Sequence, residues 1–120
     1  MKANAADFVG LLFSARDYAH TEHLNTDSYA QHMALGSFYD EIVDLADSFA
    51  ETWMGRKQEK IGEIEVPKAP RGNCLAVMNR YLEVVQDTRD FVQDDTVLSN
   101  IADEIEQLFS STIYKLKFLK

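Results

Sequence analysis

A four-helix bundle is the fold class this sequence predicts, and three observations carry it. The 120 residues hold only five Gly and two Pro, too few punctuating residues for a chain of many short strands and turns. Apolar residues recur at three- and four-residue spacing over four separate stretches, the pattern of one buried helix face. Both prolines, Pro67 and Pro70, fall in one segment between the second and third stretches. One bundle domain over residues 1–120 is long enough to bury roughly two thirds of the surface its unfolded chain exposes.

The first helix is expected over Ala5 to Glu22, with Asn4 as N-cap, Asp7 at the positive end of the dipole, and Phe8, Leu11, Leu12, Ala15 and Ala19 on its apolar face. The segment Leu24 to Ser28 is rich in side chains that compete with helical hydrogen bonds, so it reads as a turn that starts the next helix. That second helix is expected over Asp27 to Met54, with Tyr29, Met33, Tyr39, Phe49 and Trp53 on the stripe and Gly55 as C-cap.

Arg56 to Gly72 mixes charges with Ile61, Ile64 and Val66, and reads as a crossover with room for a short extended or 3₁₀ piece. Asn73 caps a third helix through Leu75, Met78, Leu82, Val85 and Val92, interrupted near Asp94-Asp95, an acidic pair that reads as a helix cap. The last helix starts at Thr96 and carries Leu98, Ile105, Leu108, Leu116 and Leu119 on one stripe. Lys115, Lys117 and Lys120 stand in or beside its last turns, where cations suit the dipole. A longer crossover between helices 2 and 3 completes the expected bundle.

A formal net charge of −8 repels polyanions, so neither DNA nor an anionic membrane is an expected partner. The lone Cys74 cannot close an intrachain disulfide and fits a reducing cytoplasm, the expected address. Phe8 to Ala15 follows a lysine but is interrupted upstream by Asp7 and lacks a clean cleavage site, so no signal peptide is expected. No stretch approaches the ~20 apolar residues of a membrane span.

All three histidines, His20, His23 and His32, lie within 13 residues. His20 and His23 are three apart and share a helix face, a spacing that suits a transition metal but also arises by chance. Down the second helix, Asp47 and Glu51 are four apart on one face. They stand fifteen residues from His32, about 22 Å of helix rise, too far to share an ion with it in one chain. An antiparallel second copy about a two-fold axis brings them beside His20 and His32, with two equivalent sites per dimer.

The run from His20 to Glu51 resembles the motif of Dps-type mini-ferritins: a helix-ending histidine, a second twelve residues later, an aromatic Tyr-Asp stretch, then an aspartate and a glutamate four apart. Here these fall on His20, His32, Phe38 to Glu41, and Asp47 with Glu51. The resemblance implies a ferritin-like fold and a homodimer or larger homo-oligomer. It also implies ferrous iron bound across subunits by His20, His32, Asp47 and Glu51 and oxidised by peroxide or dioxygen. The chain departs from the motif at Gly36, where the family carries a third ligand, at Thr21, where it carries tryptophan, and in a basic N-terminal arm reduced to Lys2.

The competing expectation is a ferritin-like bundle without iron chemistry, acting as an interaction or structural module. On that reading His20 and His32 decorate helix ends and Asp47 and Glu51 solvate a helix face. His23 is expected as a solvated helix-end residue, with an accessory-ligand role as the alternative. Tyr29, Phe38, Tyr39 and Phe49 are expected in the core, and the acidic groups near Asp103 and Glu106 on a solvated face.

Overall fold

The computed structural model describes residues 4–120; Lys2 lies outside them. The described residues form α1 (Ala5–Asn25), α2 (Tyr29–Lys57), α3 (Cys74–Thr88) and α4 (Thr96–Phe118), with a short 3₁₀ helix over Arg89–Val92 and no strand. Three caps sit where the sequence puts them. Asn4 accepts from the Asp7 amide and Asn73 from the Ala76 amide, both at 2.9 Å. Asp95 accepts from Val97 and Leu98, at 3.1 and 3.3 Å. Each satisfies amides that the first helical turn leaves without partners.

Four boundaries differ from expectation. α1 continues to Asn25, whose side chain donates back to the Thr21 carbonyl at 2.9 Å. α2 begins at Tyr29, because Ser28 is the residue that caps it, accepting from Gln31. Gly55 is helical and does not end α2; the chain leaves the helix at Gln58, in the left-handed region at φ 58°, with Arg56 and Lys57 in the last turn. Val92 belongs to the 3₁₀ helix and not to α3. There Thr88 turns its hydroxyl back onto the Val84 carbonyl, and the helix tightens after it.

Side-chain contacts fix the directions. Phe8 meets Phe49 and His23 meets His32, so α1 and α2 are antiparallel. Ser14 bonds Tyr81 while Phe8 meets Phe91, so α3 runs against α1. Phe38 packs on Phe109 and Arg56 pairs with Asp95, so α4 runs against α2. Arg89 reaches both Ser99 and Glu106, closing the α3–α4 hairpin. Every neighbouring pair is therefore antiparallel, and α2 and α3 point the same way. The segment from Gln58 to Asn73 must return along the bundle's length, which it does without regular structure.

That return path explains two residue choices. Ile61 and Ile64 pack against the core as the segment crosses α1. Gly10 lies beneath it: a Cβ there would stand 2.0 Å from the Glu65 carbonyl oxygen, so only a bare backbone lets the crossover lie flat. The buried side chains form one contiguous cluster. At the end holding the start of α1, Phe8, Phe49 and Phe91 interlock, with Phe8–Phe49 centroids 4.8 Å apart.

The same end is closed by charge. Arg89, 7% exposed, donates to Glu106 at 2.5 Å and to the carbonyl and hydroxyl of Ser99 at 2.9 Å each, and pairs with Asp103 at 2.8 Å. Burial pushes its guanidinium down, and the bonds and charges of Glu106 and Asp103 outweigh that and hold it above its ordinary value. Arg56 pairs with Asp95, and this pairing first, aided by the helix amides, holds the Asp95 carboxyl below its ordinary value. The Asp103 and Glu106 expected on a solvated face thus clamp α4 to the end of α3. No described helix is long and apolar enough to cross a membrane.

Candidate functional site

His23 and His32, not His20 and His32, are the pair the fold brings together. The His23 Nδ1 donates to the His32 carbonyl at 2.6 Å and the His32 Nδ1 donates to the His23 carbonyl at 2.8 Å. The rings stack with centroids 3.8 Å apart and planes 16° apart. A carbonyl can only accept, so both Nδ1 atoms carry hydrogen, which in the neutral form of an imidazole leaves the lone pair on Nε2. The His23 carbonyl is one that α1 leaves without a helical partner at its end, and His32 fills that vacancy across the turn. His23 is therefore half-buried and bonded, not the solvated residue expected.

Gly36 acquires a different meaning from this pair. A Cβ at Gly36 would stand 3.0 Å from Cε1 and 3.1 Å from Nδ1 of His23. The glycine is the flat spot on α2 that admits the His23 ring, at the position where the mini-ferritin motif carries a ligand. His20 lies one turn further from the hairpin, stacked on Tyr39 at 4.3 Å and 11°. Tyr39 is half-buried, as a stripe residue should be.

Asp47 and Glu51 are exposed on α2, about 22 Å of helix or more from His32. Within one chain His20, His32, Asp47 and Glu51 do not fit an iron ion. Among the described residues no three His, Cys, Asp or Glu side chains converge on one point. The buried thiol offers no substitute chemistry. Burial, ahead of the neighbouring groups, pushes Cys74 above its ordinary value and keeps it a neutral, poor nucleophile.

The hairpin end carries a feature the sequence reading missed. Of eight large apolar side chains exposed among the described residues, six lie there: Leu24, Tyr29, Met33, Tyr114, Phe118 and Leu119. Tyr29 is 77% and Phe118 64% exposed, so Tyr29 is not the core residue expected, and Leu119 leaves the α4 stripe. Tyr29, Met33, Phe118 and Leu119 line a groove of about 730 Å³ between α2 and α4, with Lys115 and Lys120 at its edge. The signal was present in the alternation Lys115-Leu116-Lys117-Phe118-Leu119-Lys120, whose apolar residues run beyond the last buried turn of α4.

An all-helical, antiparallel bundle with a paired-histidine hairpin is the class this architecture defines. The chain belongs to the family of unknown function DUF5856, which matches residues 23–116 and so takes in His23, His32 and Gly36 but not His20. It is similar to an uncharacterized 14.6 kDa protein of the mobD-ri intergenic region of Enterobacteria phage T4. The two are 28% identical over 116 residues, covering 95% of this chain and 88% of the phage protein. No solved structure matches.

Proposed function

We propose that this chain is a ferritin-like helical bundle that acts as an interaction module, using the hairpin end as its contact surface. The ferritin-like assignment rests on topology: two antiparallel hairpins joined by a crossover between helices that point the same way. The carrying observation for the interaction role is the crowding of six of the eight exposed large apolar side chains at one end. Contiguous apolar surface on an otherwise acidic protein is costly to leave in water and marks a docking site.

The test is a photo-crosslinking residue placed at Met33, compared with one at the exposed, ion-paired Glu83, in the cell that makes the protein. A discrete adduct is expected from Met33 and none from Glu83. Equal labelling from both positions, or none from either, sinks the interaction reading.

Iron binding requires a second chain. The lone pairs left on Nε2 of His32 and His23 support that reading, since metal-binding imidazoles commonly donate their other nitrogen to a carbonyl. Ferrous ion would then be the substrate, held between His20 and His32 of one copy and Asp47 and Glu51 of the other. Anaerobic ferrous titration followed by peroxide, on native protein and Asp47→Ala, decides it: binding and oxidation lost in the variant support iron chemistry, and no binding to native protein removes it.

A further inference from the structure

We propose that the α2–α4 face is a self-association surface, on which a second copy of this chain sits antiparallel about a two-fold axis passing near Ser37 and Ser111. The proposal rests on the interaction reading above and names the partner.

Two grooves lie in series along this face. The first is the apolar groove of about 730 Å³, where Tyr29, Met33 and Phe118 stand exposed and Lys115 and Lys120 supply positive charge. The second, about 400 Å³, has Leu45 and Leu108 at its base and the exposed carboxylates of Glu41, Asp44 and Glu104 around it. Ser37 belongs to the first groove and Ser111 to the second. Because α4 runs against α2 with Phe38 on Phe109, the two serines stand at one level, where the face changes from apolar and basic to acidic.

A two-fold axis across the helices at that level exchanges the two halves. Met33 and Glu41 lie four residues either side of Ser37, about 6 Å of helix each way. Tyr29 of one copy then faces Leu45 of the other, each eight residues from Ser37, while Lys115 and Lys120 reach its Glu41, Asp44 and Glu104. Shape and charge agree in both directions at once, as an isologous contact requires. The small serines at the axis let the backbones approach.

Other arrangements lose on charge. A two-fold axis along the helices would set lysine against lysine and carboxylate against carboxylate. With a net charge of −8, two copies repel at long range, so a contact between them needs local complementarity of this kind. The intersubunit iron site would use His20, His32, Asp47 and Glu51, none of which lines either groove, so the two readings rest on different residues.

Sedimentation equilibrium of the full chain tests the proposal. Native protein is expected to form a reversible dimer. Lys115→Glu and Glu104→Lys are each expected to weaken it by about tenfold or more, and the double variant to restore it. Lys60→Glu, in the exposed crossover, is expected to leave it unchanged, and circular dichroism checks that each variant folds. A native protein that stays monomeric overturns the proposal. So does a dimer indifferent to either single change, or a folded double variant that does not recover. An adduct from Met33 to a different protein would keep the interaction reading and overturn the second copy, whereas absence of any adduct would remove the interaction reading itself.

Discussion

The two ends of the bundle solve the same problem in opposite ways. At the Arg89 end, three phenylalanines interlock and a buried guanidinium is bonded to Ser99, Asp103 and Glu106, so little apolar surface or unpaired charge is left to the solvent. At the hairpin end, the polar groups are satisfied inside the His23–His32 pair, yet Tyr29, Met33 and Phe118 project outward. Helix ends leave amides and carbonyls that must find partners, and both ends meet that demand. The difference is that only one also hides its hydrocarbon. An end that is closed serves stability; an end that is satisfied but still apolar outside is available for contact.

The largest effect expected from breaking this contrast comes from exchanging one phenylalanine at each end for alanine. Phe49 is fully buried against Phe8 and Phe91, and Phe49→Ala should cost about 3–5 kcal/mol in urea denaturation, through lost transfer energy and the cavity left behind. Phe118→Ala removes a ring that is 64% exposed, and should change stability by no more than about 0.5 kcal/mol. Its effect should appear as weakened association. Equal stability losses at the two positions would mean that the hairpin end is as much a part of the core as the other.

A smaller contrast sits within α2. Alanine is favoured over glycine in a helix by about 1 kcal/mol, and at Gly55 a Cβ meets nothing within 4 Å, so Gly55→Ala should raise the melting temperature. At Gly36 the same Cβ presses on a ring held by its bond to the His32 carbonyl and by stacking on His32. That ring cannot swing away without giving up a hydrogen bond worth about 0.5–1.5 kcal/mol. Gly36→Ala should therefore lower the melting temperature and shift the His23 ring resonances. A rise in both variants would show that the histidine pair yields easily.

How much of this was legible in the sequence follows the range of the interactions. The four helices, the caps at Asn4, Asn73 and Asp95 and the position of the crossover depend on neighbours within a turn or two, and each was readable. The exposure of Tyr29 was not, because its spacing on the α2 stripe is the same whether or not a partner helix extends far enough to cover it. The His23–His32 pair depends on how α1 and α2 are rotated against each other, which periodicity does not set. The Dps-type spacing drew attention to His20 and to a missing ligand at Gly36; packing gives Gly36 a local purpose that no spacing rule contains. Gly10 is similar, since nothing in its helical neighbourhood announces the Glu65 carbonyl above it.

A further contrast lies between the two ends, where α1 meets α3. Tyr81 shares a hydrogen bond of 2.6 Å with Ser14, while the Tyr18 hydroxyl is buried without a hydrogen-bond partner of ordinary geometry, beside the Cys74 thiol. Burial first, and the neighbouring groups second, push Tyr18 well above its ordinary 10.0, and burial pushes Cys74 above its ordinary 9.0. Both groups are neutral when protonated, and the folded chain holds those protons more tightly than the unfolded chain does. Their contribution is thus fully present below pH 9.0 and is lost as the pH rises past 9.0 and 10.0, where the unfolded chain releases protons that the folded one keeps. Tyr18→Phe deletes a buried hydroxyl that has no hydrogen-bond partner of ordinary geometry. At neutral pH it should be neutral or stabilising by up to about 1 kcal/mol, and it should move the alkaline unfolding midpoint upward. Tyr81→Phe strands Ser14 and should cost about 1–2 kcal/mol at neutral pH. Denaturant titrations of both variants at neutral pH and above pH 10.0 separate the two hydroxyls. If Tyr18→Phe proved the more damaging, the Tyr18 hydroxyl would have a partner, and the sealed interior would reach less far toward the hairpin end than its burial indicates.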